Sequence, residues 1–578
     1  MNRTRRTFLA MTVITAAGIA AMVVASNRNL PGTGGGKIAD ILGPEPVQVS
    51  IASSVTKNRW LEAVAAEFVA QNAKTKSGKP IDIKIKGVLS GASMQNILDG
   101  KLRPVVWSPG DGSWIAQFGA RWPGQHNRPA MTRPCTPTIR TPSGLAMWRP
   151  MAEALGWPNK KIGWKTIIDL ATDPKGWAGH GHPEWGKLKL GYTHPQYSNA
   201  GLLFLTSAIY GVTGQTGSLT AEQVYDPRVE QALRAIAQNT SKYGMVTTDL
   251  FDMMARHGPD FLHVVSAFEE GTVRLNLERG KDLRWPLVFI FPSEGTFWSD
   301  HPYCVLDGTE WVSEEQAGAA RQFLDFLLAK EQQSLAVQYL LRPLDANLPT
   351  GALLTAENGT DPSARPETVP PFQVTDAATS AAIIDQFLTT KRKATILLVL
   401  DVSGSMAGKS IRAATEATAA FLKRLDPRDE VGLMVFNDNI TMVSEVQQVS
   451  AVAEGLSQRV LQLVSGGGTN LHGAVCTAAR KLNQIRSAEE ASGENRLYGI
   501  ILLSDGADTT GEISENRMLQ TCLPSSLEAG GTKVFTIAFG ESANRDVLSR
   551  IGQVSNGAMF EADAASIDQT YLKIAAEQ

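Results

Sequence analysis

Apolar positions fall along this chain in three kinds of pattern. Ile396-Leu397-Leu398-Val399-Leu400 is an unbroken run, and the segments from Glu430 to Phe436, Tyr498 to Leu503 and Lys533 to Phe539 are nearly so. Such runs predict strands buried on both faces, the habit of a parallel sheet covered by helices. Ile81-Asp82-Ile83-Lys84-Ile85 instead alternates, and together with Val47 to Ala52 predicts strands of a separate sheet. Trp60, Leu61, Val64 and Phe68 follow helical spacing, and helices are predicted over 317–328, 380–388, 411–425 and 471–482, with another from about Ala451. Ile440 to Val446 reads as an edge strand and Ala558 to Glu561 as a last strand.

Two stretches interrupt these patterns. Residues from Asn27 to about Glu45 are rich in glycine and proline and read as a flexible tether; a second proline-bearing stretch, from about Pro343 to Pro371, reads as a linker. With 578 residues, too many for one ordinary core, the chain divides as follows. Residues 1–26 are a signal peptide or signal anchor, 27–45 the tether, 46–345 a first domain, 346–390 the linker and 391–578 a second domain. Arg3, Arg5 and Arg6 precede an uncharged segment from Phe8 to about Ala25, roughly 18 residues and close to the spanning minimum. Thr4 to Leu9 resembles the twin-arginine export motif, with Ala10 where a lysine is usual. The expectation is export, to the periplasm or the outer face of the cytoplasmic membrane. The segment is either cleaved after Val23-Val24-Ala25 or kept as a membrane anchor.

Composition narrows the function. At 43% hydrophobic and 19% charged the chain is an ordinary globular one, and a formal charge of −2 gives no electrostatic reason for a nucleic-acid partner. Four cysteines without a Cys-x-x-Cys pair exclude a disulfide-dense scaffold and a zinc ribbon. Lys391-Arg392-Lys393, ahead of the first buried run, reads as a solvated gatekeeper.

The chemistry concentrates where the run 396–400 breaks into Asp401-Val402-Ser403-Gly404-Ser405. Three oxygen-bearing side chains at alternate positions, at the carboxyl end of a buried strand, suit a hard cation such as magnesium. This Asp-x-Ser-x-Ser pattern resembles the metal-ion-dependent adhesion site of von Willebrand factor type A domains. Thr469, in Gly466-Gly467-Gly468-Thr469-Asn470, and Asp505, at the end of Leu502-Leu503-Ser504-Asp505, stand in the order that the family requires. The resemblance implies a doubly wound, Rossmann-like domain. In it Ser403, Ser405 and Thr469 would supply hydroxyl oxygens to Mg²⁺ (or Mn²⁺ or Ca²⁺), with Asp401 and Asp505 acting largely through water. It also implies a protein partner that supplies a carboxylate to the metal. No nucleophile with a general base accompanies the site, so an enzyme is not expected. The triple glycine lacks the Gly-Lys-Ser/Thr ending of a phosphate loop, and Ser403 stands where an aspartyl-phosphate hydrolase needs a second acid.

In the first domain, strands end in Ser53-Ser54, Ser90-Gly91-Ala92-Ser93 and Ser108-Pro109-Gly110. Hydroxyls and helix N-termini there can hold an anion or a polar solute, and ordinary helix capping is the rival use. The series resembles the first lobe of a periplasmic solute-binding protein. Thr136 to Ile139 would cross into a second lobe, Gly163 to Leu170 and Leu188 to Gly201 would belong to it, and His301 to Leu306 would cross back. The resemblance implies lobe 1 over about 46–135 and 305–345, and lobe 2 over 136–304. It implies cleft contacts from Ser53, Ser54, Ser90, Ser93, Ser108, Ser198 and Asn199. Glu269-Glu270-Gly271 would lie near the cleft and favour a cationic or hydroxylated solute over an oxyanion. Trp107, Trp114 and Trp298 read as core, and His180, His182 and Glu184 as a polar surface loop. Because the two crossings lie side by side in solute-binding folds, Cys135 is expected to pair with Cys304, leaving Cys476 for Cys522; buried free thiols are the alternative.

The expected function is that of an exported cell-envelope binding protein, a solute-binding module joined to a metal-dependent protein-binding module. The alternative is the substrate-binding subunit of an ABC-type importer, with the C-terminal domain as a docking accessory.

Overall fold

A computed structural model describes residues 44–492, 496–523 and 532–576. The expected signal or anchor and all but the end of the tether lie outside them. Two α/β lobes precede a third, doubly wound α/β domain.

Lobe 1 is built on β1 (Val47–Ser54), with β2 (Ile81–Val88) and β3 (Val106–Ser108) parallel to it on either side. The edge strand β2 turns Ile81 and Ile83 inward and leaves Lys84 and Lys86 in water, as its alternation requires. Helix α1 (Asn58–Ala70) buries the stripe Trp60, Leu61, Val64 and Phe68; α2 (Ser90–Leu98) follows β2, and α3 (Gly112–Arg121) follows β3. Lobe 2 carries a sheet in the order β6-β5-β7-β4-β8. These strands are β4 (Thr141–Trp148), β5 (Leu190–Thr193), β6 (Thr240–Gly244), β7 (Val264–Phe268) and β8 (Leu287–Ile290). Its helices include α4 (Asn199–Thr213), α5 (Pro227–Gln238), α6 (Thr247–His257) and α7 (Glu269–Arg279). β9 (Trp298–Ser299) pairs with β4.

The crossings between lobes run side by side: Thr136 and Tyr303 exchange backbone hydrogen bonds at 3.1 and 2.8 Å. β10 (Cys304–Val305) then joins the lobe 1 sheet against β3. The sulfurs of Cys135 and Cys304 are bonded across the crossings, with Cα atoms 4.4 Å apart.

The segment 346–390 is not a free linker. Its first part lies along lobe 2: Phe289 N donates to Gly359 O at 2.7 Å, Thr296 N to Pro370 O at 2.9 Å, and Phe372 stacks on Tyr210 at 4.3 Å. Its second part is α8 (Ala377–Thr390), which packs against α4, α5 and also α3 of lobe 1. Proline, threonine and asparagine content reports the lack of regular structure; it is silent on burial of the few apolar residues, Leu354, Ala364 and Phe372, that fasten the segment.

The C-terminal sheet runs β13-β12-β11-β14-β15-β16. Central β11 (Ala394–Asp401) is parallel to β12 (Glu430–Phe436) and to β14 (Leu497–Ser504). β15 (Lys533–Phe539) and β16 (Met559–Ala562) continue the parallel order, and only the edge strand β13 (Ile440–Gln448) is antiparallel. All eight residues of β11 are buried, as are all eight of β14, because helices cover both faces. α9 (Lys409–Leu422) follows the loop after β11, and α10 (Leu471–Ala491) follows the triple glycine.

The basic triplet 391–393 is not solvated as a whole. Arg392 is buried and donates to Arg496 O, and Lys391 pairs with Asp429 at 3.6 Å; only Lys393 is exposed. Lobe 2 docks on the amino ends of this sheet, so these cations lie in a junction that a local pattern does not reveal.

Candidate functional site

The carboxyl ends of β11 and β14 and the turn before α10 converge on one spot. Asp401 ends β11; its Oδ1 accepts from Ser403 N at 2.9 Å and its Oδ2 from Ser504 Oγ at 2.6 Å. The hydroxyls of Ser403 and Ser405 lie 3.0 Å apart, and Ser405 donates to Asp505 Oδ1 at 2.7 Å. Thr469 is joined to the loop after Asp505, for its N–H donates to Thr509 Oγ1 and its carbonyl accepts from Thr509 N, both at 2.8 Å. Its hydroxyl and that of Ser405 both face Gly506, within 3.9 and 3.7 Å of where a β-carbon would stand. The turn is held by Asp438, whose Oδ2 accepts from Gly468 N at 2.8 Å, while Gly467 takes a φ of +84°, which a residue with a side chain rarely adopts.

Asp401, Ser403, Thr469 and Asp505 are each 4% exposed or less, whereas Ser405 is open to solvent. Burial raises the carboxyl of Asp401, with hydrogen bonds from Ser403 and Ser504 opposing and the charge of Asp505 adding to the rise. Burial likewise raises Asp505, against the hydrogen bond from Ser405. Two acids raised in this way, with three hydroxyls between and beside them, form a donor set that fits a hard divalent cation. No cluster of three or more His, Cys, Asp and Glu occurs among the described residues, so a metal here relies on hydroxyl oxygens. Cys476 of α10 and Cys522 are disulfide-bonded, 46 residues apart in sequence.

The second site is the interlobe cleft, a cavity of about 220 Å³. Ser54, Ser90, Ser198 and Asn199 line it. Ser53, Ser93 and Ser108 do not: Ser53 Oγ donates to Ser54 O, Ser93 Oγ accepts from Trp107 Nε1 at 3.0 Å, and Ser108 Oγ donates to Pro302 O at 2.8 Å. Ser53 and Ser93 are thus engaged within lobe 1 and Ser108 by the returning crossing, and Ser90, which does line the cavity, accepts from Gly110 N at 3.0 Å. The lobes are closed on one another. Gly91 N donates to Tyr197 O at 3.0 Å, Trp114 Nε1 to Asn199 Oδ1 at 2.8 Å, and Arg59 Nη1 to Glu278 Oε1 at 2.7 Å.

Thr56, Thr247, Thr248, Glu270 and Arg274 complete the polar lining. Thr247-Thr248 opens α6, separated from the end of β6 at Gly244 by Met245 and Val246, and so places hydroxyls at a helix start as Ser90 does. Glu270 is 5% exposed and pairs with Arg274 Nη1 at 2.9 Å; burial pushes its carboxyl up to about 7. Glu269 instead turns from the cleft into a buried pair with Arg342, 2.6 Å from its Nε. Trp107 and Trp114 are fully buried; Trp298 is half-buried and donates to Val369 O. His182 pairs with Glu184 at 2.9 Å and stacks on Trp185, and His180 is exposed, a surface arrangement.

Residues 49–339 match the family of bacterial extracellular solute-binding proteins and residues 395–572 the von Willebrand factor type A domain. The first match takes in half of the chain, and the chain belongs to the bacterial extracellular solute-binding proteins, with a von Willebrand factor type A domain at its C-terminal end. Human inter-alpha-trypsin inhibitor heavy chain H4 is 32% identical over 174 residues, 29% of this chain and 18% of that protein. An uncharacterised protein of Synechocystis is 29% identical over 167 residues, 28% of this chain and 36% of its own. The chain thus spans well under half the length of the curated relatives that it matches. Among solved structures, the periplasmic binding protein AfuA from Actinobacillus pleuropneumoniae is 16% identical with a TM-score of 0.41, covering 60% of this chain and 98% of that one. A von Willebrand factor type A protein from Catenulispora acidiphila is 19% identical with a TM-score of 0.28, covering 32% and 42%.

Proposed function

We propose that this protein is an exported binding protein of the cell envelope, in which Asp401, Ser403, Ser405, Thr469 and Asp505 hold Mg²⁺ and a partner protein completes the metal with a carboxylate. One observation carries the reading: two buried acids from different strand ends share a hydroxyl-lined spot that opens to solvent at Ser405. A metal bound mainly through neutral hydroxyls keeps its charge, which is the chemistry that the ion would supply to an incoming carboxylate. Family membership supports export, and among the described residues no helix is long and apolar enough to cross a membrane.

Isothermal titration of Mg²⁺ into the full chain tests the reading. One site is expected, lost in Asp401→Ala while the fold, followed by circular dichroism, persists. Absence of any Mg²⁺ or Mn²⁺ binding to the wild-type protein would remove it.

A second reading is favoured by the closed cleft. Its lining of hydroxyl-bearing and apolar side chains and its small volume suit a solute-binding subunit of an ABC-type importer, with the C-terminal domain as a docking accessory. The two readings share the cleft and differ in whether metal binding is needed for engagement of the partner.

A further inference from the structure

Helix α8 is 14 residues long, a length that is marginal in water by itself, so its order comes from the surfaces it packs on. Lobe 2 supplies most of them. Gln386 Nε2 donates to Val224 O at 3.3 Å, and the Phe387 ring lies among those of Tyr192, His194 and Tyr243. Lobe 1 supplies the rest. Its α3 packs against α8, and a β-carbon on Gly112, the first residue of α3, would stand 3.5 Å from Val374 Cγ1, just ahead of α8. The seat of α8 is thus made from both lobes.

A second link runs through the turn 194–198, between β5 and α4. Ser198 lines the cavity, and Tyr197 O accepts from Gly91 N of lobe 1 at 3.0 Å. In the same turn the His194 ring stands 4.9 Å from that of Phe387, while its Nδ1 accepts from Gln196 N at 3.3 Å. His194 O accepts from Tyr197 N at 3.2 Å and from Ser198 N at 2.9 Å, so the turn is a tight unit. Lobe 1 and α8 therefore lean on one small, internally bonded element. Opening of the cleft withdraws Gly91 from this turn and α3 from α8 together. Only three residues separate α8 from β11, and Lys391, 3.6 Å from Asp429, and the buried Arg392 leave them little slack. A tilt of α8 is passed on to the C-terminal sheet.

We propose that α8 is a strut that senses closure of the cleft. It is fully seated only when the two lobes are shut, and capture of a solute thereby fixes the direction in which the C-terminal domain presents its metal loop. The coupling is reciprocal: a seated strut holds the lobes shut, and loosening it loosens them by the same factor, commonly about 5- to 150-fold between coupled sites. The role given to the metal loop rests on the Mg²⁺ reading above. The link between closure and orientation does not, and failure of Mg²⁺ to bind would leave it standing.

Hydrogen exchange on the full chain, without any solute, tests the link. In Gly91→Ala, amide exchange over 377–390 is expected to quicken at least about fivefold. In Phe387→Ala, exchange over 90–98, in α2 of lobe 1, should quicken by a similar factor, with Phe387→Leu taking its place if the alanine variant does not fold. Unchanged protection in β11 and β14 serves as proof of folding in each. An α8 as protected as in the wild type, in a Gly91→Ala protein that scattering shows to be open, overturns the proposal. So does an unaltered α2 in a Phe387 variant whose α8 has loosened. If Gly91→Ala stays shut, the Phe387 variant decides by itself.

Discussion

Closure of the cleft depends on single atoms. A β-carbon on Gly91 would stand 2.2 Å from Gln196 O of the opposite lobe and 2.7 Å from the Trp114 ring, and the Gly91 N–H already reaches Tyr197 O. Backbone this close has no room to yield, so Gly91→Ala should hold the lobes apart. Small-angle scattering is expected to show a more extended N-terminal domain, with solute binding weakened tenfold or more, about 1.4 kcal/mol, and Mg²⁺ binding untouched. An alanine variant that closes and binds normally would show that the close approach does not limit closure. The same scale explains which serines the sequence could not sort. Ser53 and Ser54 are adjacent in a strand, so they point to opposite faces. Repetition of hydroxyls at strand ends singled out both, and only the position of lobe 2 decides that Ser54 lines the cavity. Ser90 and Ser93 differ in the same way: the first sits at the helix start facing the cleft, the second is spent on Trp107.

At the scale of elements, the proposed metal site is assembled by three segments whose spacing is set elsewhere. α10 starts directly after Thr469 and Asn470, and the chain after Asp505 returns to α10 through the Cys476–Cys522 bond. That bond closes a loop that contains β14 and Asp505. Closing a loop of this size restricts the unfolded chain by an amount equivalent to about 2–4 kcal/mol. Replacing both cysteines with serine should lower stability by about that much in denaturant titrations. It should also weaken Mg²⁺ binding several-fold, because the start of α10 and the loop after Asp505 are then tied by hydrogen bonds alone, those of Thr509 together with Asn470 Nδ2 to Glu512 and His472 N to Asp508. Unchanged Mg²⁺ affinity in a folded double variant would show that these hydrogen bonds suffice. Strand and helix order in this domain was legible from apolar runs alone. The Asp-x-Ser-x-Ser motif was legible because it sits where such a run ends. Thr509 and Asp438, which hold the turn, were not, since nothing in their local sequence marks them.

In the whole molecule, α8 is the piece that makes two domains one body. Phe387 packs among Tyr192, His194 and Tyr243 of lobe 2, and four residues further on the chain enters the C-terminal domain. From that domain Arg428 donates to Leu388 O and Thr389 O, carbonyls at the end of α8, and Lys533 Nζ donates to Ser241 O of lobe 2 at 2.6 Å. The proposed metal loop therefore lies at the carboxyl ends of strands whose amino ends rest on lobe 2. Arg428→Ala removes two hydrogen bonds to carbonyls that water can reach, a loss of about 0.5–1.5 kcal/mol at the junction. Scattering is expected to report a wider spread of domain orientations, with solute and Mg²⁺ affinities each unchanged. An equally compact variant would assign the junction to Phe387 and its neighbours instead.

The sequence by itself determined the secondary structure of the C-terminal sheet, because periodicity is a local property; the two-lobed plan and the residues proposed for the metal followed from the resemblance of its motifs to known families. Tertiary structure alone decided that 346–390 is packed, which hydroxyls face the cavity, and where Glu269 and Glu270 part company. These outcomes depend on which surface arrives opposite a residue from a hundred or more positions away, and no local pattern records that.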